Sequence, residues 1–116
     1  MSVSKINAPV SSTEYHGGYS GKDQGAEKLY KIGNIVFGVI DIEMNGDIPA
    51  GTWTNIGWFT NTGYLSLSII VPCCDSWNGH YAGLLQIDST DHTIKVFPIE
   101  QIAANHRLCA VVVYKA

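Results

Sequence analysis

The fold is decided by the stretch LYKIGNIVFGVIDIEMN, from Leu29 to Asn45. It is rich in β-branched and aromatic residues, it is broken by Gly33-Asn34, and it ends at the turn dipeptide Asn45-Gly46. These features are typical of β-strand structure interrupted by turn residues. In the segment NIVFGVIDI, apolar side chains point to both faces. The stretch therefore predicts a strand that is covered on both sides.

The same kind of pattern continues to the end of the chain. The segments TWTNIGWFT and YLSLSIIVP come next, HYAGLLQID and HTIKVFPIE flank Ser89-Thr90-Asp91, and LCAVVVYK closes the sequence. Short strands with turn signals between them are the signature of an all-β sandwich or barrel. The one helical candidate is IEQIAANH, near residues 99–106, and the alternative for this short segment is a turn.

The last strand is also apolar on both faces. One face carries Leu108, Ala110, Val112 and Tyr114, and the other carries Cys109, Val111 and Val113. A two-sheet core hides one face of each strand, so the second face needs another cover. We expect a second subunit to provide it. The alternative is that residues 1–27 fold back over the outer face.

Residues 1–27 differ from the rest of the chain. They are polar, contain Pro9 and several glycines, and show no sustained period, which predicts an N-terminal arm or linker before a head domain at residues 28–116. The arm either packs on a neighbouring subunit through Tyr15, His16 and Tyr19 or is a loosely attached tail. Its start, MSVSKINAPV, lacks the apolar core of a signal peptide.

The composition excludes several classes of protein. Hydrophobic residues make up 46% of the 116 residues but charged residues only 15%, against about 25% in average soluble domains. The net charge is −3 without a basic stripe, which argues against nucleic-acid binding. No segment is apolar over the length of a membrane span. The three cysteines, Cys73, Cys74 and Cys109, are predicted to be reduced, with Cys109 in the core.

The sequence carries no strong signal for catalysis, for a metal or for a cofactor. The histidines show no metal-ligand spacing, and Cys73-Cys74 lacks the gap of a zinc knuckle. The nearest carboxylate pair, Asp41 and Glu43, ends an apolar strand and is interpreted as a solvated strand end. A thiolate pair of Cys73 or Cys74 with His80 is an unspecific pattern. We therefore expect a protein that is not an enzyme.

The loop CCDSWNGHY, residues 73–81, is the best candidate for a ligand site. A sugar site uses flat apolar rings against C–H surfaces, and amides and carboxylates against hydroxyls. The loop offers such groups in Asp75, Trp77, Asn78, His80 and Tyr81. The alternative is that Trp77 plugs the end of the fold while Asn78-Gly79 makes the turn. A structural role is favoured for Trp53 and Trp58.

Several phrases of the sequence resemble a known family. They are Gly33-Asn34-Ile35-Val36, Ile48-Pro49-Ala50-Gly51-Thr52, Trp53-Thr54-Asn55-Ile56-Gly57, the hairpin around Gly83–Ile87 and Thr93–Val96, and the closing VVVYK. Together they resemble the C-terminal head domains of bacteriophage tail-fibre and baseplate receptor-binding proteins. The resemblance covers about residues 30–116.

The resemblance implies a jelly-roll-like β-sandwich, assembled as a homotrimer at the tip of a virion appendage. It also implies binding to a host-surface saccharide for adsorption. The arm would connect the head to other virion proteins, with assembly in the host cytoplasm. The alternative is a non-catalytic structural, trimerisation or capsid-decoration module without a ligand.

Overall fold

The computed structural model describes residues 10–18, 26–60 and 63–116. These ranges form eight antiparallel strands and contain no helix, so the expected all-β class is confirmed. Residues 99–106 form bends, a turn and an isolated bridge at Ile102, so the alternative of a turn holds there and the short helix does not. The strands are β1 (Val10–Gly17), β2 (Ala26–Ile32), β3 (Ile35–Glu43), β4 (Thr54–Phe59), β5 (Ile69–Asp75), β6 (His80–Asp88), β7 (Thr93–Pro98) and β8 (Arg107–Lys115).

The strands close into one barrel in the order β1-β2-β3-β8-β5-β6-β7-β4. Closure is made by β1 and β4, which pair from Tyr15↔Phe59 to Gly17↔Gly57. The sequence predicted two facing sheets of jelly-roll type, and the structure has a single closed sheet instead. The local pattern of alternating side chains is the same in both architectures, because each has one inner and one outer face.

The segment Val10–Gly17 corrects the predicted arm. It forms β1, paired with β2 along its length and with β4 at its end. Its inward positions are Thr13, Tyr15 and Gly17. Only one of these three has a large apolar side chain, which is why the alternation was missed. Residues 1–9 and 19–25 of the predicted arm, including Tyr19, lie outside the described residues.

The barrel interior is the core of the molecule. Alternating residues of β3 and β8 point inward and are buried, which follows from the two-residue period of a strand. The largest fully buried side chains are Tyr15, Leu29, Val36, Ile40, Ile42, Met44, Ile48, Ile56, Leu85, Ile87, Ile94 and Leu108.

The outer faces of β3 and β8 remain apolar and exposed, as the sequence pattern implied. Val39 is 50% exposed, Val111 is 71% exposed and Val113 is 66% exposed. Val39 and Val111 are direct cross-strand partners. We call Val39, Val111 and Val113 the outer apolar face. Strand β1 lies in the barrel wall, so residues 10–18 do not cover this face as the folded-back arm would.

The turns confirm the predicted break at Gly33-Asn34 and the predicted hairpin at Ser89-Thr90-Asp91. Gly33 adopts a left-handed φ of 58° in the β2–β3 turn, a conformation that glycine tolerates without strain. The β6–β7 turn occupies residues 89–92, around the predicted Ser89-Thr90-Asp91. The strand predicted from Tyr64 begins only at Ile69, because the segment before it is a loop that tucks Tyr64 into the core.

The cysteines occupy positions different from those expected. All three are free, but the buried one is Cys73, whereas Cys109 is half-buried on the outside of β8. The Cys73 thiol donates a hydrogen bond to the Gly83 carbonyl at 3.5 Å. Burial raises the pKa of Cys73 to about 12. The prediction that Cys109 is a core residue is therefore wrong, because β8 points it outward.

The ladder between β2 and β3 is short, and a tyrosine side chain bonds to the part of β3 that β2 leaves unpaired. The two strands pair only from Ile32↔Ile35 to Tyr30↔Phe37. Beyond this point the Tyr15 hydroxyl of β1 donates to the Val39 carbonyl at 3.0 Å. It also accepts from the Asp41 amide at 3.0 Å. Tyr15 thus replaces ladder hydrogen bonds that β2 does not make, and burial raises its pKa.

A Tyr15→Phe variant tests this bridge. It leaves two backbone groups of β3 without their partner, so the free energy of unfolding is expected to fall by about 1–3 kcal/mol. The matched control is Tyr114→Phe. Tyr114 is also buried in the barrel, but its hydroxyl has no hydrogen-bond partner among the described residues. Urea unfolding should show the control unchanged or slightly more stable. An equal loss in both variants would contradict the bridge.

Candidate functional site

The predicted loop lies at one end of the barrel beside the β7–β8 connection. The β5–β6 turn, residues 76–79, and the β7–β8 segment, residues 99–106, both leave strands at this end. The Ser76 amide donates to the Arg107 carbonyl at 2.9 Å, which ties the turn to the start of β8. The site is therefore built on strand ends, which hold it more rigidly than a free loop would.

Asp75 organises the turn from below. It is buried, and its Oδ1 accepts the Trp77 amide at 3.0 Å. Its Oδ2 accepts the Nδ1 proton of His106 at 2.6 Å. Its backbone carbonyl also accepts the Gly79 amide at 2.8 Å. Each carboxylate oxygen already holds one donor, so Asp75 supports the aromatic residues above it.

Trp77 lies on His106 with its ring open to solvent. The ring centroids are 5.4 Å apart and the planes differ by 18°, so the two rings are stacked. Trp77 is nevertheless 70% exposed. We call Asp75, Trp77 and His106 the Trp77 platform. An exposed, flat, apolar ring held in one orientation is suited to packing against the C–H face of a sugar.

The other three predicted residues form a small depression together with Asp75. Asn78, His80 and Tyr81 line it with residues 99–102 of the neighbouring connection, and Trp77 is not part of its wall. The Asn78 Oδ1 accepts the His80 amide at 2.9 Å, which closes the turn. The depression holds about 60 Å³, well below the roughly 300–1,000 Å³ of ordinary ligand pockets. It has room for one protruding group such as a hydroxymethyl.

The sequence alone did not point to His106. It lies 31 residues from Asp75 in sequence, and the segment around it was interpreted as a short helix or a turn. The pairing of β8 with β5 at Asp75↔Leu108 places His106 beside Asp75. The only sequence signal was a histidine directly before an apolar strand, which by itself does not point to a site.

A larger opening lies elsewhere, in the gap between β2 and β3. It holds about 600 Å³. Tyr30 and Phe37 form a ring pair with centroids 6.1 Å apart in its wall. Its lining residues are Tyr15, Glu27, Lys28, Tyr30, Phe37, Gly38, Val39 and Asp41. The sequence analysis missed this groove, because it depends on where the ladder between the two strands ends.

In the carboxylate pair considered for catalysis, Asp41 is engaged in an ion pair. Asp41 accepts the Arg107 Nε–H at 2.9 Å, and Arg107 is the cross-strand partner of Glu43. This arrangement raises the pKa of Arg107, chiefly through the hydrogen bond to Asp41. In the part of the chain that the structure describes, no group of three acidic, histidine or cysteine side chains could hold a metal ion.

The two tryptophans favoured for structural roles each contact one ring on the barrel. Trp58 is stacked on His16 with centroids 5.2 Å apart. The ring centroids of Trp53 and Phe97 are 5.4 Å apart, and the two rings are tilted relative to each other. Both remain partly exposed.

Comparison with known proteins identifies no relative of this chain. No family model matches the chain, and neither a curated protein nor a solved structure does. Among the described residues no helix is long and apolar enough to cross a membrane.

An Asp75→Ala variant tests the support under the Trp77 platform. It removes the acceptor of both the Trp77 amide and His106, so the free energy of unfolding is expected to fall by about 1–3 kcal/mol. The control is Glu100→Ala, in the wall of the same depression. The described structure gives the Glu100 side chain no hydrogen bond, and a change within about 0.5 kcal/mol is expected. Equal stability of the two variants in urea unfolding would show that Asp75 supports nothing.

Proposed function

We propose that this chain is a non-enzymatic, saccharide-binding head domain of a bacteriophage virion appendage. The observation that carries the proposal is the indole of Trp77, exposed to solvent yet held on His106. An exposed tryptophan keeps a large apolar surface in contact with water, and covering that surface with a binding partner is favourable. A ring fixed in this way is ready to receive a flat apolar surface.

The neighbouring polar groups favour a saccharide as that partner. His80 and Tyr81 are exposed and Asn78 keeps its side-chain amide N–H groups for a ligand, while its Oδ1 closes the turn. They lie beside the depression that accommodates a single protruding group. A sugar ring on Trp77 with one substituent in the depression would use both features. Recognition by a few groups at the surface gives weak binding at a single site.

Assembly as a homotrimer would compensate for a weak single site. Several sites displayed together raise the effective concentration of each after the first has bound. The outer apolar face supports such an assembly, because Val39, Val111 and Val113 form a contiguous exposed patch on paired strands. Covering them with a second copy removes apolar area from water.

The placement on a phage appendage rests on the family resemblance. The phrase Gly33-Asn34 forms the β2–β3 turn, and Ile48-Pro49-Ala50-Gly51-Thr52 lies in the connection from β3 to β4. Ile48 itself pairs with Ile102 and closes this end of the barrel. In this proposal the head acts in adsorption to the host, on the virion, and other virion proteins hold its N-terminal side. The alternative is a structural or decoration module without a ligand.

A Trp77→Ala variant on a glycan array tests the saccharide site. Loss of the indole should weaken binding by about tenfold or more. The matched control is Trp58→Ala, since Trp58 is also an exposed tryptophan stacked on a histidine. Binding by the control and the wild type, but not by Trp77→Ala, is expected. Equal binding by all three would refute the site, and absence of any glycan signal from a wild-type trimer would favour the structural alternative.

A Val111→Lys variant tests the assembly. A charge in the centre of the outer apolar face would have to be buried on association, so the oligomer should dissociate. Light scattering should give three chain masses for the wild type and one for the variant. Leu67→Lys is the control, because Leu67 is equally exposed but lies in the β4–β5 loop. A wild-type monomer would overturn the homotrimer.

A further inference from the structure

The β5–β8 seam has the shortest ladder in the barrel. These strands pair only at Cys74↔Cys109 and Asp75↔Leu108. By contrast, β3 pairs with β8 along all of its length, from Ile35↔Lys115 to Glu43↔Arg107. A closed sheet depends on every seam, so local opening is expected first where the fewest backbone hydrogen bonds hold.

Two cysteines face each other at this seam. Cys74 and Cys109 are direct cross-strand partners, and both lie on the outside of the barrel. Directly opposed residues of antiparallel strands have Cα atoms about 4.5–5.5 Å apart. Disulfides span Cα separations of about 4.4–6.8 Å. The backbone therefore already holds the two residues at a distance that a disulfide bridges.

Cys73 does not compete for this bond. It is the sequence neighbour of Cys74 but points to the other face of β5, where it is buried. Its thiol donates to the Gly83 carbonyl, and burial raises its pKa to about 12. The reactive thiolate form is therefore scarce at Cys73.

The sulfur atoms have room to approach each other. A mainly apolar depression of about 180 Å³ lies at the seam, lined by Val39, Pro72, Cys74, Cys109, Ala110 and Val111. The β5–β6 ladder also has a bulge here, because Cys73 pairs with Gly83 and Cys74 pairs with Tyr81, which leaves Ala82 of β6 as the extra residue. Since a bulge and a short ladder leave the local backbone adjustable, small shifts needed for disulfide geometry can be made there.

We propose that Cys74 and Cys109 form a cross-strand disulfide when the protein meets a low-molecular-weight disulfide such as oxidised glutathione, and that this bond staples the β5–β8 seam. The site is independent of saccharide binding, although the staple holds the strand end that carries Asp75. It would limit opening of the barrel directly below the Trp77 platform.

The exchange is balanced in atoms and electrons. The Cys74 thiolate attacks one sulfur of oxidised glutathione, forming a mixed disulfide and releasing one glutathione thiolate. The Cys109 thiolate then attacks the Cys74 sulfur and releases the second. The two cysteine protons end on the two glutathione molecules, so two protein thiols are oxidised and one glutathione disulfide is reduced.

The second step should depend on pH. Burial, with nearby Cys74 and acidic side chains, raises the pKa of Cys109. A raised pKa leaves less thiolate below it, so the closing step should accelerate by up to about tenfold per pH unit as the pH rises towards that pKa.

The test is oxidation of the reduced full chain with oxidised glutathione, followed by thiol counting after denaturation and by peptide mapping. Of the three thiols, one should remain, at Cys73. The map should join the Cys74 and Cys109 peptides within one chain, and the melting temperature should rise by about 5–10 °C. Cys73→Ser should form the same bond and show the same rise, with no thiol remaining. Cys74→Ser and Cys109→Ser should show neither the bond nor the rise.

Several outcomes would overturn the proposal. These are three remaining thiols, a Cys73–Cys74 bond, a bond between chains, or a Cys74–Cys109 bond without a higher melting temperature. The same oxidation is run on Val111→Lys, in which the proposed second copy cannot cover the neighbouring face. The same intrachain bond there would separate the staple from the assembly, and its loss there would contradict a bond that belongs to the single chain.

Discussion

The antiparallel ladder between β3 and β8 is the constraint on which the molecule depends. It aligns the first long apolar strand with the last one over their full length. Inward residues such as Ile40 and Leu108 are buried completely and define the core. The same register places Val39 beside Val111 on the outside. A pair of strands this apolar cannot bury both faces within one barrel, so the fold leaves an exposed apolar surface on its outside.

At the short ladders of the barrel, individual side chains lie where backbone hydrogen bonds are missing. Between β2 and β3 the pairing ends at Tyr30↔Phe37, and the Tyr15 hydroxyl bridges to the backbone of β3 instead. The gap that remains is the large groove. Between β5 and β8 two cysteines face each other at the shortest ladder. Since ladder hydrogen bonds are what make a closed sheet rigid, these two short seams depend on individual residues.

The candidate site shows how a rigid base can present an exposed ring. Asp75 ends β5 and holds the Trp77 amide and the His106 ring at the same time. The Trp77 indole therefore keeps its orientation although most of its surface is in water. A preorganised ring loses little conformational entropy when a ligand packs on it. This physical property, together with the polar residues beside it, is why a saccharide is the proposed partner.

The all-β class, the apolar double face of β3 and β8, and the turns at Gly33-Asn34 and residues 89–92 could be predicted from the sequence, because each is encoded by residues close together in the chain. The closure of the sheet as a barrel, the place of Val10–Gly17 in it and the position of His106 under Trp77 emerge only in three dimensions. The signal for β1 was weak, since Thr13 and Gly17 are inward positions without large apolar side chains. Closure and the site both depend on pairing between distant strands, and a two-residue alternation specifies which face a residue takes but not which strand becomes its neighbour.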